Sequence, residues 1–375
     1  MYISDEGKLA EFCAYASGLR VVSVDTEFLR EKTYYPLLCL VQVAAGDRIA
    51  AIDPIRIHDL SPLRALFENP DVTKVFHACG QDLEVIFDAM GCVPEPVFDT
   101  QVAAAFLGHR MQIGYGALVE AYTGVHLPKA ESLTDWSKRP LDPEQLKYAE
   151  DDVRYLTGIY SEMMDELVRA DRLSWVLPEM AAHAAKGNFV RDPRETYLHL
   201  KRASTLTRRQ LAIAREVCAW REETAARRDI PRKWVLSDEV IVEVCKRAPR
   251  TIQSLKKIRG GDSVGTRDAG LLLEAVRRGV ECDPSECPEM RRRQRPSGET
   301  EGIVDLLYAL LRLKAERAGV AAQLVATRDD LLEFAQGRPT QITEGWRYEI
   351  AGRDLEGLLS GSVGLTVKDG RIEVL

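Results

Sequence analysis

Two carboxylates at the end of an apolar run are the residues best placed to do chemistry. Asp25 and Glu27 close the segment Val21-Val22-Ser23-Val24-Asp25-Thr26-Glu27-Phe28, whose β-branched residues predict a buried strand. Side chains two positions apart on a strand point to the same face, so the two carboxylates lie side by side. Adjacent buried carboxylates repel unless a cation compensates them, and Mg²⁺ prefers a few carboxylates together with water. The spacing therefore indicates a divalent-cation site; the alternative is an exposed strand end with two solvated acids.

Three further residues could complete such a site. Asp82 lies in His77-Ala78-Cys79-Gly80-Gln81-Asp82, where the pattern predicts that a strand gives way to a helix. Its carboxylate can project over the edge of the sheet, or it can simply be a first-turn acid favoured by the helix dipole. Tyr148 and Asp152 are four residues apart on a later helix, so both side chains lie on one side of it.

The strands that must position these residues are short and apolar. After the run 21–28, the pattern predicts strands at 37–45, 49–52, 72–77 and 97–99. Gly46-Asp47-Arg48 is a hairpin-like connection, so the first three strands are expected to form an antiparallel meander. The later strands alternate with helices, which favours parallel additions and a mixed sheet with helices packed on it.

Helix-start signals place helices between and after these strands. The predicted helices cover 61–68, 78–90, 101–107 and 115–122. Asp142-Pro143-Glu144-Gln145 is a capping box, and the apolar stripe that follows it predicts one long helix to about Val168. Tyr148 and Asp152 flank that stripe, so this helix is expected to carry them to the site.

From about Arg191 onward, helical patterns replace strands. Thr207-Arg208-Arg209-Gln210 is a second capping box, and further helices begin near Ser237 and Gly270. The segment Asp283–Thr300 is rich in proline, arginine, serine and glutamate, which is typical of a linker.

Beyond this linker the helical pattern returns at a constant offset of 90 residues. The matched pairs are Arg227/Arg317, Val235/Val325, Ser237/Thr327, Glu239/Asp329, Ile241/Leu331, Val242/Leu332, Glu243/Glu333 and Pro249/Pro339. Chance similarity of two helical patterns is the alternative to a duplication. We predict domains at residues 1–185, 206–287 and 300–375, the last two being copies of one small helical domain.

Charge is divided unevenly along the chain. The net charge is −7 overall, with −13 for residues 1–185, +10 for residues 186–295 and −4 for residues 296–375. An acidic segment followed by a basic one favours metal-dependent chemistry in the first and polyanion binding in the second. Ordinary solvated surface is the alternative.

Cysteine spacing and hydropathy indicate the cellular compartment of the protein. The 8 cysteines lack the spacing of a zinc site or a disulfide framework, which favours reduced thiols. Residues 1–18 lack a basic stretch followed by an apolar one, and no apolar run is long enough to span a bilayer. We expect a soluble, cytoplasmic protein of two or three domains, with no membrane and no obligate protein partner.

In combination, the motifs resemble those of a known nuclease superfamily. The Asp25-x-Glu27 pair, Asp82, and Tyr148-x-x-x-Asp152 are similar to the three exonuclease motifs of the DEDD superfamily, tyrosine branch. Further segments resemble the ribonuclease D family: 77–78, 114–118, 122–125, 135–141, 220–222 and 229–232. The two helical copies resemble paired helicase and ribonuclease D C-terminal (HRDC) domains.

The resemblance implies a fold and an activity. The fold is an α/β RNase H-like exonuclease domain, a mixed sheet with flanking helices, followed by two small all-α domains. Four carboxylates would hold two divalent metal ions, Mg²⁺ or Mn²⁺: Asp25, Glu27, Asp82 and Asp152. The activity is stepwise removal of 3′-terminal nucleotides from RNA as 5′-monophosphates, with transfer RNA precursors that carry single-stranded 3′ tails as the substrate class.

Tyr148 is expected to orient the attacking water. An unperturbed tyrosine has a pKa near 10, which makes it a poor general base at neutral pH. An amphipathic core tyrosine is the alternative for this residue.

Five residues are candidates for RNA contacts. Phe28 could stack on the terminal base, as aromatic residues do on single strands, while Lys138, Arg139, Arg232 and Lys233 could bind phosphates. The alternatives are core packing for Phe28 and plain solvent exposure for the four cations.

Two other functions stay open at this point. The same metal site would suit a 3′–5′ DNA exonuclease, although no polymerase or helicase segment accompanies it. The chain could also be a catalytically inactive adaptor that binds nucleic acid.

Overall fold

The computed structural model describes residues 1–128, 134–290 and 296–375. They form two compact units. One unit takes the described residues of 1–27, 39–185 and 295–375, and the other those of 28–38 and 186–294. The segment 28–38, which includes the end of one strand and the start of the next, thus belongs to the unit of the first helical copy. No local sequence pattern indicates this grouping. The domain ranges drawn from the sequence stay predictions.

A six-stranded mixed sheet forms the framework of the first unit. The strands are β1 (Tyr2–Ile3), β2 (Val21–Leu29), β3 (Leu37–Ala45), β4 (Arg48–Ile52), β5 (Thr73–Phe76) and β6 (Val97–Asp99), in the order β1-β4-β3-β2-β5-β6. Strand β4 pairs antiparallel with β3 and parallel with β1, and β5 pairs parallel with β2 and with β6. The predicted mixed sheet is confirmed. The two-residue strand β1 is too short to leave a periodic signal, so the run at 21–28 is the second strand rather than the first.

Eight α-helices accompany this sheet in the described parts of residues 1–185. They are α1 (Glu6–Ala16), α2 (Ser61–Phe67), α3 (Gly80–Met90), α4 (Thr100–Phe106), α5 (Tyr115–Thr123), α6 (Pro143–Arg154), α7 (Leu156–Arg169) and α8 (Leu173–His183). Helix α3 ends at Gly91, whose φ of 69° is the left-handed conformation that glycine adopts without strain. Strand β3 is buried along nearly its whole length, as expected of a strand covered on both faces.

The long helix predicted from Asp142 to Val168 is wrong: it is two helices, interrupted at Tyr155. The Tyr115 hydroxyl donates a 2.8 Å hydrogen bond to the backbone carbonyl of Asp151, which a continuous helix would pair with the amide of Tyr155. A side chain inserted into the helical hydrogen-bond ladder is a recognised cause of such a break. The sequence pattern could not reveal it, because Tyr115 comes from a separate element.

In the second unit, all regular secondary structure of the described residues 206–287 is helical. They are α9 (Arg208–Arg228), α10 (Arg232–Val235), α11 (Asp238–Arg247), α12 (Ile252–Lys256) and α13 (Thr266–Glu281). The predicted capping box opens α9, where the amide of Thr207 donates to Gln210 Oε1 at 2.9 Å. The apolar faces of these helices share one core that includes Leu211, Trp220 and Leu272.

The first three helices of the C-terminal segment begin 90 residues after α9, α10 and α11. Its helices are α14 (Gly298–Ala318), α15 (Ala322–Val325), α16 (Arg328–Ala335), α17 (Gly345–Arg347) and α18 (Arg353–Ser360), with a π-helical turn at Tyr348–Gly352. Helices α14 and α15 begin and end 90 residues after α9 and α10. A hairpin of β7 (Leu365–Lys368) and β8 (Arg371–Val374) follows, which the sequence analysis did not include. Asp369-Gly370 at its tip, with φ of 50° and 74°, is the turn signal that could have revealed it.

This C-terminal segment shares a core with the sheet-bearing part of its unit. Trp346 is stacked on Trp175, with ring centroids 5.5 Å apart. It also forms a T-shaped contact with Phe106, with ring centroids 5.2 Å apart. Arg347 pairs with Glu179 at 2.6 Å. None of the helices within the described ranges combines the length and apolar character that crossing a membrane requires.

Candidate active site

Three of the predicted carboxylates form a cluster. One oxygen each of Asp25, Glu27 and Asp152 lies within 4.8 Å of the other two. Asp25 and Glu27 come from strand β2 and Asp152 from helix α6, so the cluster joins two elements that are distant in sequence. This is the arrangement that the two-residue spacing on a strand and the four-residue spacing on a helix predicted.

Asp82 is positioned beside this cluster by a hydrogen bond. It lies in the first turn of α3, is 7% exposed, and its Oδ1 accepts a 2.5 Å hydrogen bond from the Thr26 hydroxyl. Its charge raises the pKa values of Asp25 and Glu27, which places all four carboxylates in one electrostatic field. The oxygens of Asp25, Glu27 and Asp152 lie close together, and Asp82 acts on Asp25 and Glu27 through its charge.

The turn between β5 and α3 sets the direction of Asp82. Ala78 has a φ of 61°, a left-handed conformation uncommon for a residue with a side chain. Asp99 holds this turn, because its carboxylate accepts hydrogen bonds from the amides of Ala78 at 3.0 Å and Cys79 at 2.9 Å. The same carboxylate caps the start of α4. Asp99 thus holds the turn that precedes Asp82 and the start of α4 together.

His77 in this motif uses both ring nitrogens in hydrogen bonds inside the domain. Its Nδ1 pairs with the hydroxyl of Thr100 and its Nε2 with the carbonyl of Ile113, both at 2.9 Å. Burial lowers its pKa, so the ring is neutral at physiological pH.

Burial and the neighbouring acids disfavour negative charge in the carboxylate cluster. Burial and the neighbouring acids raise the pKa of Asp25 well above its ordinary value and that of Glu27 to about 8. Burial raises the pKa of Asp82 to about 6 and that of Asp152 to about 7. Oδ2 of Asp152 is buried and has no hydrogen-bond partner among the described residues. Oxygen donors with uncompensated charge fit hard divalent cations such as Mg²⁺ or Mn²⁺.

Tyr148 accompanies Asp152 on the same side of α6. An interaction between its hydroxyl and the Asp152 carboxylate lowers the pKa of that carboxyl, although burial outweighs this effect. Burial and the nearby carboxylates raise the pKa of the Tyr148 hydroxyl above its ordinary value. The hydroxyl therefore keeps its proton at neutral pH.

A cavity of about 630 Å³ opens next to these residues. Tyr148, Asp152, Tyr115 and Trp136 contribute to its wall, and the rings of Trp136 and Tyr148 lie 6.1 Å apart. Its size is in the range of pockets that bind small organic molecules. A carboxylate cluster beside a cavity with aromatic walls is suited to a phosphate ester that carries a planar base.

The predicted RNA contact of Arg139 is corrected by the structure. Its guanidinium donates to both oxygens of Asp53, at 2.5 Å and 2.9 Å, and to the carbonyls of Cys39 and Trp136. The side chain is 10% exposed and that of Asp53 is fully buried, so Arg139 compensates a buried charge inside the domain. The neighbouring Lys138 is exposed and remains a candidate.

The other candidates for RNA contacts are on the second unit. Phe28 is half-buried, and the guanidinium of Arg30 lies over its ring, 5.2 Å from the centroid. Arg232 is 54% exposed and 3.5 Å from Glu222, and Lys233 is exposed. These three residues stay predictions.

Sequence reasoning missed the two residues that position Asp82. Thr26 lies between the two recognised carboxylates, and a hydroxyl residue there is a weak signal for a hydrogen bond to another motif. Asp99 ends a predicted strand just before a predicted helix, which is the N-cap signal that could have identified it.

Comparison with known families assigns a class to this fold and site. The family model described as 3′–5′ exonuclease matches residues 1–168, and the HRDC domain model matches residues 210–276. The matched range of the first contains all four carboxylates and Tyr148. Fold and site together define a 3′–5′ exonuclease.

Similarity over the full chain narrows this class to one family. The chain is 42% identical to ribonuclease D of Sphingobium indicum, and the match covers 99% of this chain and 97% of that protein. It is 40% identical to ribonuclease D of Acidiphilium cryptum over 98% of its length and 95% of that protein. The chain belongs to the ribonuclease D family, and its activity is that of a 3′–5′ exoribonuclease.

Solved structures agree with this assignment. The structure of Escherichia coli RNase D, an exoribonuclease involved in structured RNA processing, matches with a TM-score of 0.83 at 30% identity, covering 96% of this chain and 98% of that one. The catalytic core of RRP6 from Trypanosoma brucei shares the fold, with a TM-score of 0.56 at 22% identity over 74% of this chain and 79% of that one.

Proposed function

We propose that this exoribonuclease removes nucleotides one at a time from the 3′ ends of transfer RNA precursors, with two divalent metal ions, Mg²⁺ or Mn²⁺. The products are 5′-monophosphates. The observation that carries the proposal is the carboxylate cluster of Asp25, Glu27 and Asp152 with Asp82 beside it. Four carboxylates that repel one another supply the negative charge that two dications need while leaving room for water and phosphate.

The carboxylates hold the cations and set their positions. Bound there, two divalent cations would lower the pKa of a water molecule and stabilise the leaving oxygen. Asp25 and Glu27 fix one side through the rigid strand β2, and Asp152 fixes the other through α6. Asp82, held by Thr26, completes the set.

Tyr148 orients the water that attacks the phosphorus. Because its hydroxyl keeps its proton, it donates a hydrogen bond and does not remove a proton. The cavity beside Tyr148 and Trp136 takes the 3′-terminal nucleotide, whose base faces the aromatic wall.

The basic second unit supplies affinity for RNA. Its net charge of +10 over residues 186–295 favours phosphate contacts that do not depend on sequence and that weaken with salt. A structured RNA with a short single-stranded tail suits an enzyme that grips a duplex by shape and degrades only the unpaired end. All cysteines in the described ranges are free thiols, in keeping with action in the cytoplasm.

The test uses a 3′-tailed RNA hairpin and its DNA counterpart, each with Mg²⁺, Mn²⁺ or EDTA. We expect stepwise 3′ shortening of the RNA that needs the cation, releases 5′-monophosphates and is lost in Asp25→Asn. Glu150→Gln is the matched control, since Glu150 is a half-buried acid of α6, the helix that carries Asp152, and it pairs with Arg154 at 3.2 Å.

The rival functions predict different outcomes. Equal or faster shortening of the DNA hairpin would make the enzyme a DNA exonuclease. Salt-sensitive binding without cleavage of either substrate would make it an adaptor. A transfer RNA precursor processed no faster than an unrelated hairpin with the same tail would remove the proposed substrate class but keep the activity.

A further inference from the structure

Trp234 stands out on the surface of the second unit. It is 58% exposed, whereas the other four tryptophans, at 136, 175, 220 and 346, are buried or half-buried. Tryptophan is highly buried on average in folded proteins, so the exposure of this indole is unusual for its residue type.

The backbone holds this indole outward. Trp234 lies on the four-residue helix α10, and its amide donates a 2.8 Å hydrogen bond to the carbonyl of Pro231. The next two residues point inward: Val235 packs against the helical core and Leu236 is 4% exposed within it. Trp234 therefore cannot turn into the core without displacing them.

The surroundings of the indole are cationic. Arg232 and Lys233 precede it, and both are exposed, Arg232 at 54%. Arg227, at the end of α9, is exposed as well. A single exposed ring among cations does not form the broad apolar surface that protein partners bury. It is the combination with which single-stranded nucleic acids are bound, a base on the ring and phosphates on the cations.

The internal repeat supplies a comparison within the same chain. Ninety residues further on, Ala322, Gln323 and Leu324 stand in place of Arg232, Lys233 and Trp234. Ala322 and Leu324 are half-buried and pack against the core that the C-terminal segment shares with the sheet-bearing part of its unit. The second copy thus uses this position for packing inside the protein, whereas the first copy leaves it open and makes it basic and aromatic.

The segment next to the indole is also firmly held. Asp229, at the end of α9, accepts hydrogen bonds from the amides of Tyr34 and Tyr35 at 3.0 Å and 3.1 Å. The Tyr34 hydroxyl donates to Glu222 at 2.6 Å, and the same oxygen of Glu222 lies 3.5 Å from Arg232. The segment 28–38, which follows Glu27 in the chain, is therefore held against the C-terminal end of α9, which leads into α10. A preorganised surface loses little entropy when it binds a ligand.

From these observations we infer that Trp234 is a base-stacking platform for single-stranded RNA, with Arg232 and Lys233 contacting the adjoining phosphates. The inference rests on the proposed function for its ligand class. It adds a binding site on the first helical copy, separate from the carboxylate cluster.

The test measures binding without cleavage. The full chain carrying Asp25→Asn is titrated in EDTA with a fluorescent 12-nucleotide single-stranded RNA and with an abasic ribose-phosphate oligomer of the same length. We expect Trp234→Ala to weaken binding of the RNA about 5- to 100-fold and to leave binding of the abasic oligomer unchanged, because stacking needs a base. Trp234→Phe should retain most of the affinity. RNA should quench the tryptophan fluorescence less in Trp234→Phe than in its parent.

Matched variants separate stacking from charge and from misfolding. Arg232→Ala with Lys233→Ala should weaken both probes and reduce the salt dependence of binding. Leu271→Ala removes a 42% exposed apolar residue of the same unit and should change neither. Unchanged RNA affinity in Trp234→Ala, or an equal loss for both probes, would overturn the inference. These outcomes are distinct from failure of the proposed function, because no step of the assay requires hydrolysis.

Discussion

The hydroxyl of Thr26 donates a 2.5 Å hydrogen bond to Oδ1 of Asp82, and this bond links strand β2 to the first turn of α3. It connects the middle residue of one carboxylate motif to the carboxylate of the next. Thr26 is 5% exposed, so water does not replace the bond when it is lost. Thr26 therefore positions Asp82 without belonging to the cation-binding set.

Replacing Thr26 tests this positioning role. Thr26→Val keeps the shape and removes the donor, and a hydrogen bond to a charged group contributes about 1.5–3 kcal/mol. We expect RNA cleavage at saturating substrate to fall about 10- to 100-fold and to need a higher Mg²⁺ concentration. Thr26→Ser retains the hydroxyl and should stay within about threefold of the parent. Equal losses in Thr26→Val and Thr26→Ser would point to packing instead.

The pH dependence of stability follows from the raised carboxylate pKa values. Glu27 titrates at about 8 in the folded state against 4.5 as a model group, and Asp152 at about 7 against 3.8. At pH values between the unfolded and the folded pKa of each carboxyl, the folded state binds more protons than the unfolded state. The stability of the folded state therefore falls as the pH rises from about 4 to 8. We expect the melting temperature in EDTA to decrease over this range and Mg²⁺ to abolish most of the decrease.

Asp25→Asn provides the complementary measurement. It removes one of the repelling charges, so the protein in EDTA at pH 8 should melt at a higher temperature than the parent, while the difference should shrink near pH 4. Thermal unfolding with and without Mg²⁺ measures both effects. A parent protein whose melting temperature rises with pH in EDTA would contradict the cluster's mutual repulsion.

Tyr148→Phe separates orientation from packing. The ring stays and the hydroxyl that we propose orients the water is lost, so we expect kcat to fall about 10- to 100-fold with little change in melting temperature. The pH profile of kcat should keep its shape, because the Tyr148 hydroxyl does not titrate in the working range. The control is Tyr160→Phe, whose ring meets Phe98 edge-on at 4.8 Å and which should keep full activity.

The C-terminal segment is predicted to stabilise the sheet-bearing part of its unit. Trp346 is 9% exposed, and Trp346→Ala removes its contacts with Trp175 and Phe106, which should lower the free energy of unfolding by about 3–5 kcal/mol. Trp234→Ala is the matched control, because its ring is exposed, and should change that free energy by less than about 0.5 kcal/mol. Urea denaturation measures both variants. Equal stabilities would show that the shared core is energetically unimportant.

Arg139 and Lys138 are adjacent cations with opposite expected roles. Arg139→Ala leaves the buried Asp53 carboxylate without its bidentate partner, so we expect a loss of about 3 kcal/mol in the free energy of unfolding. Lys138→Ala should leave stability unchanged, because Lys138 is exposed. Chemical denaturation and RNA binding are compared for the two. Weaker RNA binding by Arg139→Ala at unchanged stability would restore the predicted phosphate contact.

The sequence by itself determined the elements and the chemistry of the motifs. The alternation of a strand put Asp25 and Glu27 on one face, and the pitch of a helix put Tyr148 beside Asp152, because these relationships depend only on neighbours two or four positions away. The offset of 90 residues predicted the second helical segment because a repeated sequence pattern encodes the same local elements, and α14 and α15 repeat the lengths of α9 and α10.

Tertiary structure decided what depends on residues far apart in the chain. Tyr115 interrupts the helix that was predicted to continue past Arg154. Thr26 donates a hydrogen bond to Asp82, and Arg139 donates one to Asp53. In each case, folding buries a side chain beside a polar group from a distant part of the chain, and the two groups need each other as hydrogen-bond partners. This need exists only in the folded state. The same reason explains why Trp234 and Leu324 differ although they occupy equivalent positions of the repeat. Leu324 packs against a core, whereas Trp234 is exposed.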